Sequence, residues 1–264
     1  MKNILEEIIA VKERQVELER SETPVSELEK HPFFSRPVLS LTSSLLDGNK
    51  NGIIAEFKRK SPSKGMINEH ARVADITKAY TINGASGLSV LTDKAFFGGS
   101  TEDLQEARKN EIPILRKDFI IDEYQVVQSR AMGADVILLI AACLSPARVK
   151  RYAAFAKKLG LEVLLEIHNE DELEHICDEA DLIGINNRDL KTFKVDINTS
   201  LRLINKIPKE KAAVAESGIS DVQTIVTLKE AGFTGFLIGE TFMKEADPGK
   251  AFKEFVEGLK LAKG

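Results

Sequence analysis

Eight short apolar runs, separated by longer amphipathic stretches, restrict this chain more than any other feature of its sequence. The runs are Ile53–Phe57, Leu88–Leu91, Ile112–Leu115, Val136–Ile140, Val163–Ile167, Leu182–Ile185, Ala212–Ala215 and Gly235–Ile238. Their starts are spaced by roughly 20–35 residues, the length of one strand, one helix and two loops. Between them, helical spacing of apolar residues marks Val73–Ile82, Thr101–Lys109, Glu123–Met132, Pro146–Leu159 and Ile197–Ile204. A last helix is predicted from Pro248 to about Ala262. Eight such units are the number that closes a parallel barrel. An open doubly wound sheet would alternate in the same way. It is disfavoured because no GxGxxG follows the first run and no Walker motif occurs anywhere. No linker rich in Pro, Gly or Ser divides the chain, and 264 residues suit one barrel of this kind.

The expected fold is therefore α/β, a (β/α)8 TIM barrel forming a single domain over residues 1–264, with residues 1–50 as an N-terminal helical extension. In the extension Ile4, Ile8, Val11 and Leu18 fall near one helical face. Thr23-Pro24 reads as a cap followed by Pro at the first helical position. Pro32 and Pro37 interrupt the rest of the extension.

Composition excludes several function classes. The net charge of −4 offers no basic surplus for nucleic acid or an anionic membrane. The longest apolar run, Val136 to Leu144, is too short to span a bilayer. The first twenty residues lack the apolar core of a secretory signal. Cys143 and Cys177 form no CxxC pair. These features predict a cytoplasmic protein. His31, His70, His168 and His175 show no zinc-type spacing, so no metal site is expected. His168, near a strand end, reads as a satisfied polar residue rather than a base.

The chemistry lies at the strand ends. Side chains alternate along a strand, so Ile54, Glu56 and Lys58 share a face, as do Leu115 and Lys117, Leu164 and Glu166, and Val214 and Glu216. Each pattern puts a charge at the C-terminal end of an odd-numbered strand. Alternate strands fill the same interior layer of a barrel, and its C-terminal face carries the catalytic groups. Glu56, Lys58, Lys117, Glu166 and Glu216 would then surround one mouth. Such buried charges persist when mutually paired or when they meet a ligand.

The even strands add polar groups. After strand 6, Asn186 offers a donor to a carboxylate or hydroxyl and Arg188 a planar fork for an anion. A left-handed turn at Asn186 or Asn187, with Arg188 in a surface ion pair, explains the same residues. Ser217-Gly218 after strand 7 and Gly239-Glu240 after strand 8 stand where this fold recurrently binds phosphate. Lys58, Arg59, Lys60 and Lys64, with the hydroxyls of Ser61 and Ser63, form a loop suited to an anionic substrate. Phe96, Phe97 and Phe119 could hold an aromatic ring or pack on the rim.

Taken in order, Glu56 through Gly65, Val90-Leu91-Thr92-Asp93, Phe97-Gly98-Gly99-Ser100, Leu115 through Phe119, Leu165-Glu166, Gly184 through Leu190 and Glu216 through Ile219 closely resemble the indole-3-glycerol phosphate synthase family. Any one of these motifs is weak, but the ordered set spans nearly the whole barrel. The helical N-terminus resembles that family's extension, which packs near the barrel mouth. Two departures are mild: Lys60 stands where a small residue is expected, and Thr241 where Ser is expected.

The resemblance implies a carboxy-lyase of tryptophan biosynthesis that uses no cofactor or metal. It would convert 1-(2-carboxyphenylamino)-1-deoxyribulose 5-phosphate to indole-3-glycerol phosphate, carbon dioxide and water. It implies Lys117 as leading acid, Glu166 as base, Lys58 as second acid or anion ligand, and Glu56 and Glu216 as orienting groups. Asn186, Arg188 and Ser61 would contact substrate polar groups, and Phe119 and Leu190 would line the anthranilate pocket. Ser217, Gly218, Gly239 and Glu240 would surround the phosphate, Glu240 through its backbone N–H with its carboxylate turned away. The expected partners are the phosphorylated substrate and other tryptophan-pathway enzymes. Competing readings are another phosphate-binding barrel, such as a sugar-phosphate isomerase, which leaves both lysines unexplained, and a non-catalytic barrel, for which Lys117 or Glu166 should be missing.

Overall fold

Each barrel strand is apolar on both faces because one face meets the other strands' side chains and the other meets helices. The computed structural model describes residues 4–190 and 192–262. Eight parallel strands close into a barrel: β1 Ile53–Phe57, β2 Gly87–Leu91, β3 Ile114–Lys117, β4 Val136–Ile140, β5 Glu162–Ile167, β6 Leu182–Asn186, β7 Ala212–Glu216 and β8 Gly235–Ile238. Closure is made where Ile54 of β1 pairs with Leu237 of β8 on one side and Gly87 of β2 on the other.

The inner face is a separate apolar cluster. Ile54, Leu115, Leu164 and Val214 come from the odd strands, and Val136, Leu138, Ile140, Leu182 and Leu237 from the even ones. The residues between them, such as Ala55, Leu139, Leu165 and Ile185, join the larger core under the helices. The third strand starts two residues later than its apolar run. Pro113 has no N–H to give to a ladder, so the strand begins after it.

The helices match their predicted places within a few residues. Val73–Ile82 buries Val73, Ile76, Thr77 and Tyr80, and Tyr80 packs in an aromatic group with Phe242 and Phe252. Ser145 and Asp247 cap helices that carry Pro146 and Pro248 in their first turns. Thr23 caps nothing: the short helix Val25–Leu28 starts from Pro24 with no side-chain cap. Between β5 and β6 the crossover is only a 3-10 turn, Glu170–His175.

The extension reaches both ends of the barrel. Helix α1, Ile4–Glu22, sends Ile4, Leu5 and Ile8 to the mouth; the first three residues of the chain lie outside the described residues, as do Lys191 and the last two. Helix Leu41–Leu46 instead plugs the bottom, where Leu41 and Leu45 join the inner cluster. Gly87 and Gly235 open that space, since a Cβ on either would lie 2.6 Å from Leu41 Cδ1 or 2.9 Å from Leu45 Cδ1. The Glu162 carboxylate receives Ser40 Oγ and the N–H groups of Leu41 and Thr42, and Asp135 receives the Leu39 N–H and pairs with Arg36 and Arg108. Among the described residues no helix is long and apolar enough to cross a membrane.

Candidate active site

The charged ends of the odd strands do meet at one mouth. Lys117 Nζ lies 3.3 Å from Glu166 Oε2 and 3.8 Å from Glu216 Oε2. Lys58 Nζ lies 2.7 Å from Glu56 Oε1, and Ser89 Oγ donates to Glu56 Oε2 at 3.3 Å. Asn186 Nδ2 donates to Glu166 Oε1 at 3.1 Å. These carboxylates are buried on the last inward-facing layer above the apolar interior.

Even-strand glycines make the room. A Cβ on Gly184 of β6 would lie 2.2 Å from Glu216 Oε1, and one on Gly239 after β8 would lie 2.6 Å from Glu56 Oε1. Gly239 therefore serves Glu56 as well as the loop where phosphate is expected.

The electrostatics divide the carboxylates. Burial favours the neutral form of all three. At Glu56 the cations of Lys58 and Lys117 outweigh burial and hold it below the usual range. At Glu166 burial is likewise outweighed, chiefly by Lys117 and then His168, and its carboxyl is held far down. At Glu216 burial and the neighbouring Glu166 charge prevail over Lys117 and raise it well above the usual range. Its Oε1 is buried without a hydrogen-bond partner. Lys117 is kept cationic, because Glu166, Glu216 and Glu56 together overcome its desolvation.

Two adjoining cavities open above these groups. One, of about 140 Å³, is lined by Ile8, Phe97, Phe119, Ile140 and Leu190 as well as Lys117 and Glu166. Phe97 and Phe119, whose rings stand 6.0 Å apart, both line it. The other, of about 520 Å³, is lined by Ser217, Gly218, Gly239 and Glu240, with Lys58, Lys64, Arg188 and Lys244 around them. Ser217 and Gly218 are both left-handed, at φ 66° and 77°. A non-glycine residue held there stores about 1–3 kcal/mol of strain, and a Cβ on Gly218 would lie 2.5 Å from Val195 Cγ1.

Several expectations change. The Glu240 carboxylate, expected to point away from a bound phosphate, lies in this structure 3.4 Å from Lys64 Nζ and 3.6 Å from Arg188 Nη2 at the larger cavity. The charge of those two cations draws it in. Of the four loop cations, Arg59 forks onto Asp103 and Lys60 donates to the Ala95 carbonyl, so only Lys58 and Lys64 line the cavities. Ser61 lines the smaller cavity. Neither Asn186 nor Asn187 is left-handed. Asn187 ties the β6 and β7 loops together through Ser217 O and Ser200 N–H.

Lys12 of α1 ties the extension to the loops after β2 and β3 without any forewarning in the sequence. Its side chain, 1% exposed, is 2.8 Å from both Asp93 and Asp118, the loop carboxylates after β2 and β3. Asp118 also pairs with Arg116 at 3.0 Å. One lysine on an otherwise amphipathic helix carries no signal of that partnership. Among the described residues no group of three or more His, Cys, Asp or Glu side chains could hold a metal ion.

Known proteins resemble this chain along nearly its whole length. A family model described as "Indole-3-glycerol phosphate synthase" matches residues 5–255. The chain belongs to the indole-3-glycerol phosphate synthase family. Relatives of that name include one from Bacteroides thetaiotaomicron, 48% identical over 98% of this chain and 100% of the relative. Another, from Salinibacter ruber, is 43% identical over 98% of each. A solved structure of a mutant tryptophan synthase alpha-subunit from Pyrococcus furiosus shares the fold, with a TM-score of 0.59 at 14% identity over 79% of this chain and 97% of that one.

Proposed function

We propose that the mouth built from Glu56, Lys58, Lys117, Glu166, Asn186 and Glu216 carries out the indole ring closure of this family. The enzyme is a carbon–carbon lyase of tryptophan biosynthesis. It converts 1-(2-carboxyphenylamino)-1-deoxy-D-ribulose 5-phosphate to indole-3-glycerol phosphate, carbon dioxide and water.

The observation that carries the assignment of roles is the position of Lys117, a cation among three buried carboxylates at the floor of the smaller cavity. Ring closure needs an electrophilic carbonyl. Lys117 donates its proton toward that oxygen as the anthranilate carbon attacks, which stabilises the developing charge. The carboxylate then leaves as carbon dioxide. Lys58 assists loss of the hydroxyl as water, and Glu166 takes the last ring proton. Glu56 and Glu216 orient the two lysines.

Phe119 and Leu190 hold the anthranilate ring in the apolar cavity. Ser217, Gly218, Gly239 and Glu240 hold the phosphate in the larger one, with Ser61, Asn186 and Arg188 on the polar groups between. In this reading Glu240 releases Arg188 and Lys64 when the phosphate arrives, and its backbone N–H serves the anion. The reading takes the chain as one working unit over residues 1–264, its extension over residues 1–50, in the cytoplasm, beside other enzymes of the pathway. It calls on no metal or cofactor.

The test mixes purified protein with the carboxyphenylamino-deoxyribulose phosphate, without added metal, and follows indole fluorescence. Absence of signal across neutral pH refutes the reading.

A further inference from the structure

The β5–β6 crossover lacks an α-helix, and that irregularity brings an unassigned group to the mouth. Directly after β5, alternation returns His168 to the face that carries Glu166. The 3-10 turn Glu170–His175 then folds Glu172 back onto the strand end. Glu172 Oε2 accepts the His168 N–H at 2.7 Å and lies 3.2 Å from His168 Nδ1. Asn169 Nδ2 holds the other oxygen of Glu172 at 3.1 Å. The far nitrogen, His168 Nε2, lies 3.1 Å from Glu166 Oε1. That last contact is an ion pair without the alignment of a hydrogen bond.

We propose that His168 is the positioning residue of Glu166: clamped by Glu172, its ring fixes the Glu166 carboxylate opposite Lys117 for proton removal. The inference rests on the reading of Glu166 as the base. Both oxygens of Glu166 are then occupied from fixed directions, Oε2 by Lys117 and Oε1 by Asn186 and His168. A base held on both sides loses little orientation freedom before it acts.

The charge state is set by the neighbours. Burial disfavours the imidazolium, but Glu166 and Glu172 outweigh it and push His168 up to about 10. Cys143 after β4 faces the same two carboxylates, which together with burial push its thiol up to about 12, and Glu166 in turn meets Lys117 on β3 and Glu216 on β7. Nothing among these competes with Glu166 and Glu172 for the ring.

The experiment compares pH–rate profiles of wild-type enzyme, His168→Gln, Glu172→Gln and Glu166→Gln, with folding checked by thermal melting. His168→Gln should lower kcat at least about 10-fold with KM nearly unchanged. Its acid limb should move up by about one pH unit, since a cation beside a carboxylate holds its proton affinity down. Glu172→Gln should move the limb the same way by less, and it serves if His168→Gln fails to fold. Wild-type kcat and acid limb in both variants would overturn the proposal. Glu166→Gln tests the underlying reading on its own: retained turnover would remove Glu166 as base while leaving the clamp open to a direct readout. That readout is 15N NMR of the four imidazoles, with the His168 signal assigned by its loss in His168→Gln. A cationic signal through pH 8 that titrates lower in Glu172→Gln supports the clamp; a neutral ring at pH 7 overturns it.

Discussion

Glu216 of β7 occupies the space that Gly184 of β6 leaves empty, with only 2.2 Å between Oε1 and the place a Cβ would take. The obstructing atom is the end of a side chain, so Gly184→Ala should move the carboxylate rather than the barrel. We expect turnover to fall at least about 10-fold, with a stability loss of about 1 kcal/mol. Steady-state kinetics and urea unfolding on one preparation separate the two effects. Unchanged kcat would mean that Glu216 does not need its present position.

Lys117→Ala should lower turnover by at least about 100-fold, as loss of a positioned general acid does. The variant also takes from Glu166 the cation 3.3 Å from its Oε2. Near-wild-type turnover would end the role given to Lys117.

Lys12→Met should destabilise the protein by about 3–5 kcal/mol, because Asp93 and Asp118 would be left buried without their cation. Chemical unfolding measures this directly. A loss under about 1 kcal/mol would show that Arg116 alone suffices for Asp118.

The same network sets an acid limit. Burial raises the Asp118 carboxyl, but Lys12 and Arg116 outweigh it and hold it down to about 2, below its usual 3.8. Stability from this group, about 2 kcal/mol, is full above pH 4 and is lost as pH falls toward 2. Acid unfolding of Lys12→Met should lack most of that dependence. An identical pH slope in both proteins would contradict the pairing.

Gly218→Ala should raise KM for the phosphorylated substrate with kcat little changed. The added Cβ strains a left-handed residue and meets Val195 beside the larger cavity. An unchanged KM would count against a phosphate at this loop.

The pairs Ile54/Glu56, Leu115/Lys117, Leu164/Glu166 and Val214/Glu216 can be read from alternation alone. A two-residue period fixes which face a side chain takes before any partner is known. The count of strands, the layer of charge and its place at the C-terminal mouth come from that period and from barrel closure. Pro113 displaces one strand start, and Thr23 fails as a cap, because local signals compete with the ladder and with packing.

Partnership is a property of the folded chain. Lys12 reaches Asp93 and Asp118, His168 stands between Glu166 and Glu172, and Glu240 turns toward Lys64 and Arg188. None of these pairings has a period, since each joins loops or helices brought together by closure of the barrel. The eight-unit barrel, the charged face of the odd strands and the family resemblance are all written in the order of residues. Which carboxylates keep their charge is not, because burial and the nearest cation, rather than residue type, set that balance.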